Sequence, residues 1–593
     1  ALLKRLSNRF VETGLVFYAL IAMGVVLSTF WFISINHTVG PFKDMWIAME
    51  FIRSIFEGNG HFLDAFAFHG GAHRLAFPKL LFLVEYGVFK GTNIFLIAVS
   101  VVTQCTVLLL FTGMSLKGNF ASRRQCFFLF CMAVIFLFNA TQLENFIYTF
   151  DTQWFLTCGF AVLAIAFFVY YQQGVQRGRG SLASLLLAFT AATLSALSSF
   201  SGLCCWLVLL LMALIFRLPA RQVFTVLLGC VLFLMAYLNG FFSQPEPEVN
   251  PANIPSDFVF NVWEHVIFRY FRWIGLYFGS PLSRENFIAG SIFAYSAIFF
   301  LATVLALVVV KRCRLNFFQQ FCLGIALFGL GVGLATGLGR LIFVNIADED
   351  RFQTVTLTFW LGVYGLAFSL ASAAGKQKWP QYIVTLLILF WSVIVLPRAG
   401  YKDALAHTEW FDRVRHGNLA LAVGQPEFHA IKWSLILGDK NKRINRPAMH
   451  ADILKREGWA IFSDPLAGMF GMTISTGSVD ADRCVGTIGY SKPLGPGYSG
   501  FVVYGRAWDS REAEAVREII LIDDNEMVVG LAKVLRPKGY VGALSLLEQE
   551  DARWQGYVNV PMAYSGKIQA LGIVSGGQFC KLGKARVLSR PET

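Results

Sequence analysis

A carboxylate, two imidazoles and a guanidinium fall within one polar stretch near the start of the chain: Asp44 in GPFKDMWIAMEF, and His69, His73 and Arg74 in AFHGGAHRLAFPKL. A carboxylate can take the proton of an attacking hydroxyl, an imidazole can donate or accept one, and a guanidinium matches the two-pronged geometry of phosphate. Two readings of Asp44 are open. It is either a first-turn acid or N-cap complementing the dipole of the helix that follows, worth roughly 1 kcal/mol, or a functional base. His69 and His73 are four apart, a metal-binding spacing on a helix, but the intervening Gly70 and Gly71 argue against a helix there.

Further polar groups recur in later loops. NATQLENFIYTFDTQW supplies Glu144, Asn145, Asp151 and Gln153. Such groups at bilayer depth are costly enough to imply either a function or a buried network, and the network is the reading for Asn145 and Gln153. In EHVIFRYFRWIGLYFGSPL, Arg269 and Arg272 stand among Phe268, Tyr270, Phe271 and Trp273. That pattern reads equally as an aromatic belt with snorkelling arginines and as a surface for lipid phosphate or sugar rings. GLGVGLATGLGRLIFVNIADEDRFQ has the glycines of a phosphate loop, yet it follows an apolar span and lacks the Gly-Lys-Ser/Thr ending. Its glycines are expected to allow close helix packing. Arg340 and Arg351, which flank Asp348 and Asp350, are candidates for binding phosphate.

The elements that position these residues are membrane helices. The chain has 593 residues, 56% hydrophobic and only 15% charged, and its mean hydropathy is +0.57, which makes it a polytopic membrane protein. The formal net charge of +13 collects in short loops between apolar runs, a topology signal that excludes nucleic acid as the partner and points to the lipid bilayer. Apolar runs near 14–36, 93–114, 126–143, 153–171, 182–198, 203–216, 222–242, 287–310, 316–337, 352–372 and 381–396 predict about eleven spans.

Loop charges test that count. Lys4, Arg5 and Arg9 precede the first run, and every second loop is then basic: Lys117, Arg123 and Arg124; Arg177 and Arg179; Arg217 and Arg221; Lys311, Arg312 and Arg314; Lys376 and Lys378. The N-terminus is therefore expected in the cytoplasm and the region after Pro397 outside. The alternation closes only if RLAFPKLLFLVEYGVFK, residues 74–90 with Glu85 inside, lies in the interface without crossing. The first outer loop is then long, about 37–92, and a helix after Asp44 with the stripe Met45, Ala48, Met49, Ile52, Ile55 and Phe56 is expected to lie flat on the membrane.

Three regions follow: a transmembrane body over 1–396, a helical connector over 397–477 and a β region over 478–593. Short β runs such as GFVVYGRAW and REIILIDDNEMVVGLAKVL, with a turn at Asp523-Asp524-Asn525, predict a β-sandwich. Nine of the eleven cysteines lie in or beside spans. Cys484 and Cys580 bracket the β region and could staple it in an oxidising compartment, though spacing alone does not fix a pairing. Neither has a partner at metal-ligand spacing, so zinc is not expected. Trp508, Trp554 and Tyr557 are either sugar-stacking residues or core.

A basic N-terminus, one span, an outer-loop aspartate beside interfacial helices, a multi-span body and an outer C-terminal domain resemble the GT-C superfamily of polyprenyl-phosphate-sugar-dependent glycosyltransferases. More narrowly, HGGAHRLAFPKL, LENFIYTFDTQWF, GLGRLIFVNIADEDRF and GRAWD with ILIDDNEMVVGLA are similar to a group of bacterial membrane glycosyltransferases, with arabinofuranosyltransferases as relatives by architecture. The resemblance implies a multi-pass protein of the bacterial inner membrane with a periplasmic C-terminal domain. It implies a polyprenyl-phosphate-linked sugar as donor and a cell-envelope glycan, lipid-linked saccharide or surface protein as acceptor. Asp44 becomes the general base of an inverting displacement, and His73 orients it or donates to phosphate. Arg74, Arg269, Arg340 and Arg351 receive the phosphate, supported by His69, Glu144, Asn145 and Gln153. Many members carry paired acids in that loop where this chain has Lys43-Asp44, so a divalent cation stays open as cofactor. Three other readings stand beside it: a flippase or transporter of lipid-linked glycan, a transferase resembling O-antigen ligases with a diphosphate donor, and a non-enzymatic glycan-recruiting scaffold.

Overall fold

The apolar runs fold as helices and the C-terminal β runs as one sheet. The computed structural model describes residues 2–69, 73–118, 122–241, 262–340, 347–373, 378–426, 431, 440–475, 477, 479–495, 497–535 and 552–588. In chain order its helices are α1 (Leu2–Asn36), α2 (Met45–Phe56), α3 (Ala76–Phe89), α4 (Ile94–Lys117), α5 (Arg123–Leu137), α6 (Leu143–Ile147), α7 (Thr152–Gln176), α8 (Leu182–Ser198), α9 (Leu203–Ile215) and α10 (Ala220–Leu238). They continue with α11 (Val262–Gly279), α12 (Leu282–Glu285), α13 (Phe287–Val309), α14 (Phe317–Gly339), α15 (Gln353–Ala373), α16 (Trp379–Leu389), α17 (Leu396–Ala422), α18 (Lys440–Arg456) and α19 (Pro465–Gly468).

Two compact units divide the chain. One takes Ala1–Ile35, Phe62–Leu81 and Leu96–Ala404, the other Asn36–His61, Phe82–Phe95 and Leu405–Thr593. This departs from the boundary expected at 396, because much of the first loop is built into the second unit.

In the first unit, nine helices among the described residues are long and apolar enough to cross a membrane, and two shorter apolar helices, Leu182–Ser198 and Phe200–Ile215, occupy the remaining expected positions. The chain is a multi-pass membrane protein. Helix α3, 14 residues and so about 21 Å long, is too short to span. Peripheral helices expose Phe224, Leu232, Met235, Ile288, Ile292 and Phe299, side chains at home against hydrocarbon.

Three of the described basic turns meet helix ends of the same bundle. Lys117 Nζ donates to Tyr170 Oη at 2.7 Å, Arg124 pairs with Glu12 at 2.5 Å, and Arg217 donates to the Val309 carbonyl at 2.9 Å. The glycines before Arg340 do pack helices closely: a Cβ on Gly329 would stand 2.6 Å from Phe359, on Gly333 2.3 Å from Phe278, and on Gly337 2.6 Å from Trp273. Spaced four apart, they give one face of α14 the room that α11 and α15 fill. From Trp379 to Ala422 the helix is continuous for 44 residues. A π turn at Phe390–Val395 comes just before Pro397, which has no N–H to give the preceding turn.

In the second unit the apolar face of α2 is covered by protein, so the expected flat membrane helix is corrected. Met45, Trp46, Ala48, Met49, Phe51 and Ile52 are buried. Trp46 stacks on His450 of α18 at 6.5 Å, Phe56 meets Trp459 edge-on at 4.7 Å, and Arg53 donates to the Met449 carbonyl at 2.6 Å. An amphipathic stripe reports that one face is apolar, and either lipid or a neighbouring helix satisfies it.

The β region is one sheet, and the sandwich is likewise corrected. Its strands are β1 (Cys484–Pro493), β2 (Phe501–Asp509), β3 (Glu514–Ala515), β4 (Glu518–Ile522), β5 (Val528–Val534), β6 (Arg553–Val558), β7 (Lys567–Ile573), β8 (Phe579–Lys581) and β9 (Arg586–Val587). They run in the order β1-β2-β6-β5-β4-β7-β8, with β3 on β2 and β9 on β7, and every ladder is antiparallel. The expected turn at Asp523 joins β4 to β5, its carboxylate accepting the Asn525 and Met527 amides. A disulfide joins Cys484 on β1 to Cys580 on β8, Cα atoms 5.6 Å apart. Since β1 and β8 are the two ends of the strand order, the sheet curls into a half-barrel around Phe501, Val503, Ile519, Leu521 and Trp554. The other face of its middle strands, with Ile520, Leu531 and Tyr557 buried, is covered by helical segments. His416 of α17 reaches the Lys533 carbonyl at 3.2 Å, and Asn559 donates to the Val423 carbonyl at 2.7 Å. Alternating apolar runs specify covered faces, and helices cover one of them here. Trp508, Trp554 and Tyr557 are all buried and belong to this packing.

Candidate functional site

Asp44 stands at the N-cap position of α2, yet it does not cap. Its backbone is helical, φ −67° and ψ −16°, and its side chain accepts no cap hydrogen bond. A capping side chain normally needs an extended backbone to reach back to the N2 or N3 amide. Ser122, at φ −68° and ψ 162°, does reach the Gln125 amide, and so does Asn316, at φ −73° and ψ 175°, to Gln319. The turn is fixed one residue earlier. Lys43 has φ +51°, a left-handed conformation that costs a non-glycine residue about 1 kcal/mol, and its Nζ lies 4.4 Å above the Trp410 ring. Phe42 is buried against Trp410 and Phe411 at 5.7 and 6.2 Å, so the segment bearing the partly exposed Asp44 is anchored on its N-terminal side.

The remaining candidates lie in the first unit. His69 and His73 face each other as an isolated antiparallel bridge, with the His69 amide on the His73 carbonyl at 2.7 Å. His73 Nδ1 accepts the Phe200 amide at 3.4 Å. Burial, with the nearby charge of Arg340 adding to it, lowers the His73 pKa to about 4. His73 is therefore neutral at pH 7 and carries its proton on Nε2, a donor without charge.

Arg340 and Arg351 meet over one ring. Each guanidinium carbon is 5.4 Å from the centroid of Phe352. Phe352 is itself buried against Trp154, Trp273 and Tyr277. Arg351 also pairs with Glu349, and its carbonyl accepts Asn145 Nδ2 at 3.3 Å. Asn145 donates further to Thr354 Oγ1 at 2.9 Å, while its own Oδ1 is buried without a partner. Gln153 is buried in the first turn of α7, and Asp151 just before it is buried as well.

Arg74 is arranged differently. Its Nε donates to the Tyr237 carbonyl at 2.7 Å and its two terminal nitrogens donate to the carbonyls of Phe66 and Asn239, with Phe68 beneath at 3.9 Å. These bonds tie the loop to the end of α10 and engage the guanidinium with backbone carbonyls. Arg269 lies half-buried on α11. That helix exposes Phe268 and Phe271 and is fixed by Tyr270 and Trp273 donating to the Leu334 and Gly333 carbonyls.

The sequence reading passed over Arg284. It donates to Asp403 at 2.9 Å, pairs with Asp350 and bonds the Asp348 carbonyl. Burial opposes its charge, but Asp350, Asp403 and Asp348 more than compensate and raise its pKa. Carboxylate oxygens of Glu144 and Asp350 lie within 4.8 Å of each other, and these two acids are the pair that could help hold a divalent cation. The only signal for Arg284 was its place in SPLSREN between two spans, which does not distinguish it from any loop arginine.

No family model matches the chain, and no curated protein or solved structure does.

Proposed function

We propose that the chain is a glycosyltransferase of GT-C type. It moves a sugar from a polyprenyl-phosphate donor to a cell-envelope acceptor at the outer face of a bacterial inner membrane. The observation that carries the reading is Asp44, partly exposed directly after the left-handed Lys43 and making no cap bond to α2.

In the proposed step the acceptor oxygen attacks the anomeric carbon as the carbon–phosphate-oxygen bond breaks. The acceptor proton passes to Asp44, and the polyprenyl phosphate departs from the opposite face with inversion. Arg340 and Arg351 take the charge that grows on the phosphate, an electrostatic contribution of several kcal/mol in a water-poor site. His73, neutral with Nε2–H, serves as a hydrogen-bond donor to that phosphate, since an imidazole with a pKa of about 4 is a poor source of positive charge. A divalent cation, when bound by Glu144 and Asp350, would add further compensation of charge.

The orientation rests on two independent features. Lysines and arginines of alternate loops favour the cytoplasm for one bundle end, and a disulfide in the half-barrel suits an oxidising periplasm. Any glycan contact on the β region would fall to exposed residues such as Tyr490, stacked on Tyr504 at 6.0 Å. Membranes from cells lacking endogenous transferase, with and without this chain, are to be given a panel of polyprenyl-phosphate sugars. Chain-dependent transfer from one of them is expected, and its absence for every donor would leave transport or scaffolding as the better reading.

A further inference from the structure

A single 3-10 turn in the first unit, Phe62–Phe66, directs its large apolar side chains outward. Phe62, Leu63 and Phe66 are 66%, 76% and 42% exposed, while Ala65 between them is fully buried. The turn belongs to no spanning helix, and it presents water with an apolar edge whose solvation is unfavourable.

Two cations fasten this turn to its neighbours. Arg74 donates to the Phe66 carbonyl, through Nε to the Tyr237 carbonyl at 2.7 Å, and through its other terminal nitrogen to the Asn239 carbonyl. Lys79 Nζ, on α3, donates to the Ala67 carbonyl at 2.9 Å. Phe68, two residues past the turn, meets the Tyr237 ring edge-on at 6.5 Å. Tyr237 and Asn239 mark the end of α10 away from Arg221, and α10 is long and apolar enough to cross a membrane.

The lipid-facing surface of α10 continues up to that same end. Leu232 and Met235 are 57% and 68% exposed, and Met235 precedes Tyr237 by only about 3 Å along the helix axis. The turn is therefore fastened where α10 leaves the hydrocarbon. Aromatic rings, and cations on long apolar stems, gather at that level of a bilayer. Here Phe62, Leu63 and Phe66 supply the apolar side and Arg74 and Lys79 the cationic one. The acid of the turn, Asp64, supports the charge on Lys79.

We propose that Phe62, Leu63 and Phe66 insert into the boundary between acyl chains and headgroups beside the end of α10, as an anchor that fixes the depth of the loop bearing His69, His73 and Arg74. The partner is the phospholipid of the bilayer, entered to roughly 5–10 Å. Continuity with the exposed apolar side chains of α10 favours lipid over a protein partner. The inference does not depend on Asp44 or on sugar transfer.

The test places a nitroxide at Leu63→Cys or Phe66→Cys in the full chain, with the exposed cysteines removed as Cys105→Ser and Cys313→Ser. The protein is held in nanodiscs of phosphatidylcholine and phosphatidylglycerol. Relaxation by oxygen, which partitions into hydrocarbon, is compared with relaxation by a nickel chelate, which stays in water. Met235→Cys on α10 is the reference for lipid, and Lys492→Cys on β1 the reference for water. Labels at 63 and 66 should shift the oxygen-to-nickel ratio away from the Lys492 value and toward the Met235 value. A ratio equal to that of Lys492 would overturn the proposal. Shielding from both reagents would also overturn it, since a protein partner or a second copy would then cover the turn. Leu63 is the most exposed of the three, so position 63 decides alone if Phe66→Cys fails to fold.

Discussion

Arg340 and Arg351 share the ring of Phe352, each guanidinium 5.4 Å from its centroid. Two cations directed at one buried aromatic repel each other less when an anion lies between or beside them. If they form the donor clamp, Arg340→Gln should raise the donor KM by tenfold or more, the loss of one charge-assisted contact, without large loss of stability. Arg74→Gln should do the reverse, lowering stability by about 1–3 kcal/mol with the donor KM unchanged. Steady-state kinetics and thermal unfolding on the same two variants separate the roles.

Arg284 and Asp350 are a shielded pair, their side chains 20% and 8% exposed. Removing one member of such a pair leaves the other uncompensated. Arg284→Met should therefore destabilise the first unit by on the order of 3 kcal/mol, whereas an exposed pair such as Arg398 with Glu285 should be nearly silent on Arg398→Gln. Chemical denaturation in detergent, followed by tryptophan emission, measures both.

The helices were legible because hydropathy and length decide whether a segment is able to span. Close packing at Gly329, Gly333 and Gly337 was legible from the spacing of small residues. Partners were not. The stripe on α2 is the same whether lipid or α18 covers it, and the β runs alternate the same way whether a second sheet or helical segments lie across them. Position gave Asp44 a capping role, but capping depends on a backbone dihedral that Lys43, at φ +51°, displaces. Arg284 escaped notice because its three acidic neighbours, Asp348, Asp350 and Asp403, lie more than sixty residues away along the chain.

Two histidines set an acid limit. His73 and His450 both have pKa values lowered to about 4, first by burial, then by Arg340 for one and by Arg53 and Arg446 for the other. Unfolded histidine titrates near 6.5, so the unfolded chain binds protons first. The stability held by the neutral rings is complete above pH 6.5 and is lost as pH falls toward 4, with a slope of up to about 1.4 kcal/mol per pH unit for each ring. His73→Gln, which keeps an acceptor for the Phe200 amide, should flatten part of that limb in a series of Tm against pH. His450 has both ring nitrogens buried without a partner, so His450→Leu should flatten a further part of it and raise stability at pH 7 by about 1 kcal/mol.

The disulfide closes the sheet end to end across 96 residues. Cys484→Ser with Cys580→Ser should cost the β region on the order of 4 kcal/mol, read as a lower unfolding midpoint for the Trp554 environment. In whole cells, thiol labelling of the pair should require prior reduction. Labelling without reductant would contradict an oxidising location.

The most direct measurement compares Asp44→Asn and Asp44→Ala with wild type, at equal expression, for sugar transfer and for thermal stability together. The account predicts a loss of transfer of roughly a hundredfold or more in both variants, with no loss of a helix-cap contribution to stability, since Asp44 makes no cap bond. Full transfer by Asp44→Asn, with Asp44→Ala destabilised by about 1 kcal/mol, would contradict it and return Asp44 to the helix end as a structural residue.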